Sequence, residues 1–226
     1  MWRRPSPLLV VAVLAVVVFV ACGGGDGDPE AAPVPSVGAD TPVAAVEELV
    51  EAINAPDFAD ASRLAVPGQA ALAALAEGAT FGEVANSLSE GDTDVAANFW
   101  AGFAQGTASF LAGEVTAVED GTVDQDGVTF HRVVVTPPDG DSRTLLVRED
   151  DGYRIDLFAS FGPGLADKMV GPVERLLTTQ TGEAGLILSE LQEIVPSLLA
   201  SASLPGTTPE TSQQLIALIE VITRVS

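Results

Sequence analysis

The spacing of apolar residues changes period twice along this chain, and the changes divide it into helical, sheet and helical stretches. Thr41 has an N-capping side chain and Pro42 suits the first helical position. Val43, Val46, Val50 and Ile53 then fall on one stripe, with Glu47, Glu48 and Glu51 off it, which predicts an amphipathic helix. Asn54-Ala55-Pro56-Asp57 breaks that helix and caps a short second one through Leu64, and Pro67-Gly68 breaks again. Residues 69–111 read as helical with punctuation: Thr80-Phe81-Gly82-Glu83 fits a capping box, and Gly91-Asp92 precedes a helix striped by Val95, Phe99, Phe103 and Phe110. This aromatic stripe is expected to be ordinary core rather than a ligand slot.

The period shortens next. Residues 113–119, 128–136, 143–149 and 153–160 are short runs rich in Val, Thr, Leu and Ile. Asp120-Gly121, Asp126-Gly127, Asp139-Gly140 and Asp151-Gly152 punctuate them, and Asp-Gly between such runs signals a hairpin. Four antiparallel strands in meander order follow. Asp120, Asp124 and Asp126 lack the spacing of a calcium loop, so they read as turn residues. After Phe161-Gly162-Pro163 the helical period returns over Leu165 to Leu177, with Pro172 a point of interruption. A second helix starts near Glu183, carries Ile187, Leu191, Ile194 and Leu198, and is kinked or ended by Pro196. Thr208-Pro209-Glu210 opens a last helix striped by Leu215, Leu218, Ile219, Ile222 and Val225. Ile216 and Val221 widen its apolar surface, the mark of a buried helix. The fold class is α+β: N-terminal helices packed on a curved four-stranded antiparallel meander, followed by C-terminal helices.

Ahead of all this, Arg3 and Arg4 precede an apolar run from Leu8 to Val20, which ends at Phe19-Val20-Ala21-Cys22 before Gly23-Gly24-Gly25. The run is short of the roughly 20 residues a membrane span needs, and it suits a signal-peptide core behind a basic start. This segment resembles the signal peptide and lipobox of a bacterial lipoprotein, with Phe19 where that family prefers leucine. The resemblance implies cleavage after Ala21, lipidation of Cys22 and an extracytoplasmic location, tied to the cell membrane by lipid. More than one acyl chain on Cys22 is what makes such anchoring stable. Cys22 is the sole cysteine of the 226 residues, so a lipidated product has no thiol for a disulfide, a metal or a nucleophile. Residues 1–21 are then the signal peptide and 22–40 a flexible Gly/Pro/Ala/Asp tether. Residues 41–162 form the α+β domain, and 163–226 a helical extension on the same core.

Charge narrows the partners. The formal net charge of −22 becomes −24 once Arg3 and Arg4 are cut away. Such a chain repels phosphate backbones, so nucleic acid is excluded as a partner, and it has no electrostatic affinity for anionic lipid. The membrane is reached through lipid on Cys22. A charged fraction of 19% against 47% hydrophobic residues is that of a globular protein.

The stretch Thr41-Pro42-Val43-Ala44-Ala45-Val46-Glu47-Glu48-Leu49-Val50-Glu51-Ala52-Ile53-Asn54-Ala55-Pro56-Asp57-Phe58 resembles the first helices of the nuclear transport factor 2-like superfamily, and Asp151-Gly152-Tyr153-Arg154-Ile155-Asp156-Leu157 resembles its last strand. The resemblance covers roughly residues 41–160 and implies a cone, with helices in the hollow of a strongly curved sheet. The long helical stretch at 69–111 and the helices at 163–226 depart from it and would fill or roof the cavity.

Enzymes of that superfamily use carboxylate, histidine or tyrosine groups inside the cone. His131, the single histidine, shares a strand face with Val133 and Val135, while Asp156 on the last strand shares one with Arg154 and Phe158. An acid–base pair of His131 and Asp156 needs hydrogen-bond reach and an apolar pocket. The plain alternatives are a solvated histidine and an aspartate paired with Arg132, Arg148 or Arg154. No phosphate loop, nucleophile elbow or metal-spaced histidine cluster is present, so no metal or cofactor is expected. The reading is a lipid-anchored, non-catalytic module that binds a small apolar ligand or an envelope partner. A well-packed cone without an apolar opening would leave the partner alone. Two alternatives stay open: an isomerase-like or dehydratase-like enzyme using His131 and Asp156, and a structural envelope lipoprotein.

Overall fold

In the computed structural model, residues 38–91, 94–204 and 207–224 are described. Cys22, the signal-peptide segment and most of the tether lie outside them, as do Asp92 and Val225. Helices α1 (Pro42–Asn54), α2 (Phe58–Leu64), α3 (Gln69–Ala73), a 3-10 turn at Ala74–Glu77, α4 (Phe81–Glu90) and α5 (Asp94–Leu111) precede the sheet. Strands β1 (Thr116–Gln125), β2 (Val128–Thr136), β3 (Arg143–Glu149) and β4 (Tyr153–Ile155) follow, then α6 (Leu157–Leu177), α7 (Gly182–Glu193), α8 (Val195–Ala202) and α9 (Pro209–Thr223). The sheet is an open antiparallel meander in the order β1-β2-β3-β4. The α+β class with helices on either side of the sheet in sequence is therefore as expected.

The helix starts follow local chemistry. Thr41 Oγ1 accepts from Ala44 N at 3.1 Å, Asp57 Oδ1 from Asp60 N at 3.1 Å, and Thr208 Oγ1 from Thr211 N at 3.3 Å. Thr80 and Glu83 close a reciprocal capping box, with Thr80 N donating to Glu83 Oε2 at 2.8 Å. The Thr80 hydroxyl, which donates to the same Oε2 at 2.7 Å, and this backbone bond hold the Glu83 carboxyl below its ordinary pKa.

Three expectations about the sheet are corrected. Asp120-Gly121 does not end β1: it forms a bulge between the pairs Glu119–Val133 and Thr122–His131, where Gly121 takes a φ of +78°. The tight turns are Asp126-Gly127 and Asp151-Gly152, where all four residues have positive φ. The fourth strand stops at Ile155 rather than running to residue 160, because Asp156 caps a helix there. Its Oδ1 accepts from Ala159 N at 2.9 Å, and this local bond prevails over the strand preference of the residues around it. Accordingly α6 starts eight residues before Leu165 and runs through Pro163 and Pro172. Each proline removes one bond to the carbonyl four residues back, and tertiary burial on both sides keeps the helix intact.

The far edge of β4 is covered. Ala39 and Tyr153 exchange backbone bonds of 3.0 and 2.8 Å, and Val66 N donates to Ile155 O at 3.0 Å. Gly38 and Ala39, within the segment read as tether, are thus paired with the sheet. At Gly38 an added Cβ would lie 2.8 Å from the backbone carbon of Gly152, so only glycine allows this approach.

Helices pack on both faces of the sheet. Val133, Val135, Leu145, Val147 and Ile155 on one face join Val46 and Leu49 of α1 in the main core, which also takes in Leu176, Leu191 and Leu218 from the C-terminal helices. Residues 41–162 and 163–226 therefore share one core. On the other face, Phe130 and Leu146 are buried with Ala159 of α6 and Ala200 of α8. The helical run breaks beside Pro196 as expected: α7 ends at Glu193, and Pro196 lies in the first turn of α8. In α9, Leu215, Leu218, Val221 and Ile222 are buried, but Ile216 is 48% exposed, so the widened apolar surface is not wholly covered.

Candidate functional site

The two residues proposed as an acid–base pair are not brought together. His131 stands on the face of Val133 and Val147, half-buried at its margin. The β1 bulge places Glu119 beside it, and His131 Nδ1 meets Glu119 Oε1 at 2.8 Å. The Tyr153 ring packs edge-on against the imidazole at 5.3 Å. Asp156 is fully buried and belongs to a different group. Its carboxylate accepts from Ala159 N and from Ser197 Oγ at 2.7 Å, and Arg148 lies 3.8 Å away on the sheet face opposite to that of His131. Burial pushes the Asp156 carboxyl above its ordinary pKa, and these hydrogen bonds and the Arg148 charge oppose that push without overcoming it. The arrangement fastens α6 to α8 and β3. Among the described residues no hydrogen bond or ion pair joins Asp156 to His131.

The hollow of the sheet, where a ligand was expected, is filled. Val133, Val135, Leu145, Val147 and Ile155 are at most 1% exposed. An apolar opening lies beside it instead, between α5 and α6. A cleft of about 390 Å³ is walled by Phe99 and Phe103 of α5 and by Leu157, Phe161 and Leu165 of α6. The Phe103 and Phe161 rings meet edge-to-face at 4.8 Å, and Trp100 packs against Phe103 at 5.2 Å. Two further clefts share its lining and extend it along α5. One continues past Phe99 to Val95, the other past Phe161 to Phe110, whose ring is covered by the Arg143 guanidinium at 5.1 Å. The groove therefore follows one stripe of a helix about 27 Å long, from 18 residues at the standard rise.

Glycines form much of its surface. At Gly102, Gly106 and Gly164 an added Cβ would meet nothing within 4 Å, and all three line the central cleft. Glycine inside a helix costs roughly 0.5–1 kcal/mol relative to alanine, and no close packing requires it at these positions. The polar equipment is slight: the exposed Lys168–Glu77 pair, at 2.9 Å, stands at one rim. Among the described residues no three or more His, Cys, Asp or Glu side chains converge as metal ligands. No helix among them is long and apolar enough to cross a membrane.

Sequence reasoning placed the Phe99, Phe103 and Phe110 stripe on one helix face but assigned it wholly to core. Phe99 is 4% exposed, whereas Phe103 and Phe110 are half-buried at the groove. A signal was available: Gly102 and Gly106 sit within the same stripe at helical spacing. Comparison with protein-family models, with curated proteins and with solved structures gives no match.

Proposed function

We propose that this protein is a lipid-anchored, extracytoplasmic lipoprotein of a bacterium that holds a small apolar ligand in the α5–α6 groove, without catalysis. The observation that carries the ligand is the row of open glycines between aromatic walls: Gly102, Gly106 and Gly164 leave room that the flanking phenylalanines line. The volume lies in the range of ordinary small-molecule sites. The anchor rests on Arg3, Arg4, the apolar run and Ala21-Cys22. The resemblance to the nuclear transport factor 2-like superfamily supports a scaffold that encloses small molecules. In this chain the packed sheet face turns the choice toward the neighbouring groove. Nothing in the geometry of His131 and Asp156 favours the isomerase-like or dehydratase-like alternative.

Two measurements test the proposal. The neutral fluorescent probe N-phenyl-1-naphthylamine should bind the full-length chain saturably. Gly106→Phe should weaken it at least tenfold, while Gly106→Ala, which leaves the groove open, should retain it. Equal binding to wild type and Gly106→Phe, or no saturable binding, would reject the ligand and leave an envelope partner. Labelled palmitate should enter the wild-type protein and not Cys22→Ala.

A further inference from the structure

Arg154 carries a charge that the described residues leave without a counter-ion. It is 6% exposed, and its Nε is buried with no hydrogen-bond partner. Directly across the β3–β4 ladder stands Arg148, whose guanidinium lies 3.7 Å from Asp150 and 3.8 Å from Asp156. Like charges opposite each other on one sheet face repel, and a buried guanidinium nitrogen left without a hydrogen-bond acceptor is costly. The chain has 32 acidic against 10 basic side chains, so a guanidinium without a carboxylate does not reflect a shortage of acids.

Arg154 lines a cleft of about 300 Å³ beyond the covered edge of β4, with Ser62, Arg63, Val66, Ser87 and Leu88 among its neighbours. Arg63 is already paired, to Asp60 at 2.7 Å and to Glu48 at 2.9 Å, and these partners raise its pKa. Glu190 approaches the Gly68 wall, 3.9 Å from where a Cβ would stand, and among the described residues it is not ion-paired with Arg154. Arg154 is thus the cation in this cleft with no carboxylate bonded to it among the described residues, and a lone guanidinium beside apolar walls suits a single negative charge on an apolar body better than a dianion.

We propose that this cleft binds a small organic monocarboxylate, its carboxylate on the Arg154 guanidinium and its hydrocarbon part against Val66 and Leu88. A planar guanidinium takes a carboxylate through two parallel N–H···O bonds. The site is separate from the α5–α6 groove and does not depend on the reading of that groove.

Calorimetric titration of the full-length chain with sodium acetate, butyrate, hexanoate and 1-hexanol, at fixed ionic strength against a sodium chloride control, tests it. Affinity should rise by up to about fourfold per added methylene, and hexanoate should bind far more tightly than hexanol. Arg154→Met should weaken hexanoate at least tenfold, while Gly106→Phe should leave it unchanged. Equal binding of hexanoate and hexanol, no binding of hexanoate, or loss of binding only in Gly106→Phe would overturn the assignment. Should Arg154→Met fail to fold, Leu88→Trp supplies the block from the opposite wall, and the hexanoate–hexanol comparison needs no variant. Binding that appears only in Glu190→Gln would identify Glu190 as the native counter-ion and also overturn it.

Discussion

Replacing Asp156 tests how the last strand is joined to the C-terminal helices. Asp156→Ala removes the N-cap of a 21-residue helix and the acceptor for Ser197, which is 1% exposed. A lost cap costs about 1 kcal/mol, and a buried hydroxyl left unsatisfied about 1–3 kcal/mol. Relief from a desolvated carboxylate offsets part of this, so the expected loss is about 2–3 kcal/mol. Asp156→Asn keeps an oxygen for Ala159 N, and the Ser197 hydroxyl can rotate to accept from the new amide, so its cost at neutral pH is about 1 kcal/mol or less. The pH dependence separates the two roles. Burial raises the folded-state pKa of Asp156. A carboxyl raised in this way contributes stability that is complete below its unfolded pKa of about 4, and loses it as pH climbs through the folded value. The advantage of wild type over Asp156→Asn should therefore shrink from pH 4.5 to 7.5, and the other carboxyls, Glu83 included, cancel in the difference. Urea denaturation followed by circular dichroism across that range is the assay. An advantage that grows with pH would show an ionised, stabilised carboxylate and refute the reasoning, as would an Asp156→Ala variant within about 0.5 kcal/mol of wild type.

Gly38→Ala forces a methyl against the Gly152 backbone and should cost about 1–3 kcal/mol, with faster amide exchange at Ala39 and Tyr153. Trp100→Phe removes the indole bond to Ser62 Oγ at 2.9 Å and opens a small void, for an expected loss of about 2 kcal/mol in chemical denaturation. An unchanged midpoint would mean that α2 and α5 are not joined through that bond. Gly106→Ala should raise the thermal midpoint, since a methyl fits there and alanine gains roughly 0.5–1 kcal/mol in a helix.

Local signals wrote most of the element order into the sequence. Thr41, Asp57, Thr80, Thr181 and Thr208 all cap helices with their own side chains, and each bond spans three residues. The strands and their meander order were legible for the same reason, because Asp-Gly turns and alternating apolar residues act within a few positions. What failed was the choice between two local readings of one signal. Asp120-Gly121 could turn or bulge, and only the register of β2 against β1 decides that. Asp156 could sit in a strand or cap a helix, and Ser197, 41 residues away, helps hold it in the cap. The separation of His131 from Asp156 belongs to tertiary structure as well, since His131 stays on a strand face while Asp156 leaves the strand to cap α6 and meet Ser197. So do the α5–α6 groove and the buried Arg154. Openings and unpaired charges are what remains after distant segments have packed; short-range periodicity hints at the groove through Gly102 and Gly106 and carries no record of the Arg154 charge.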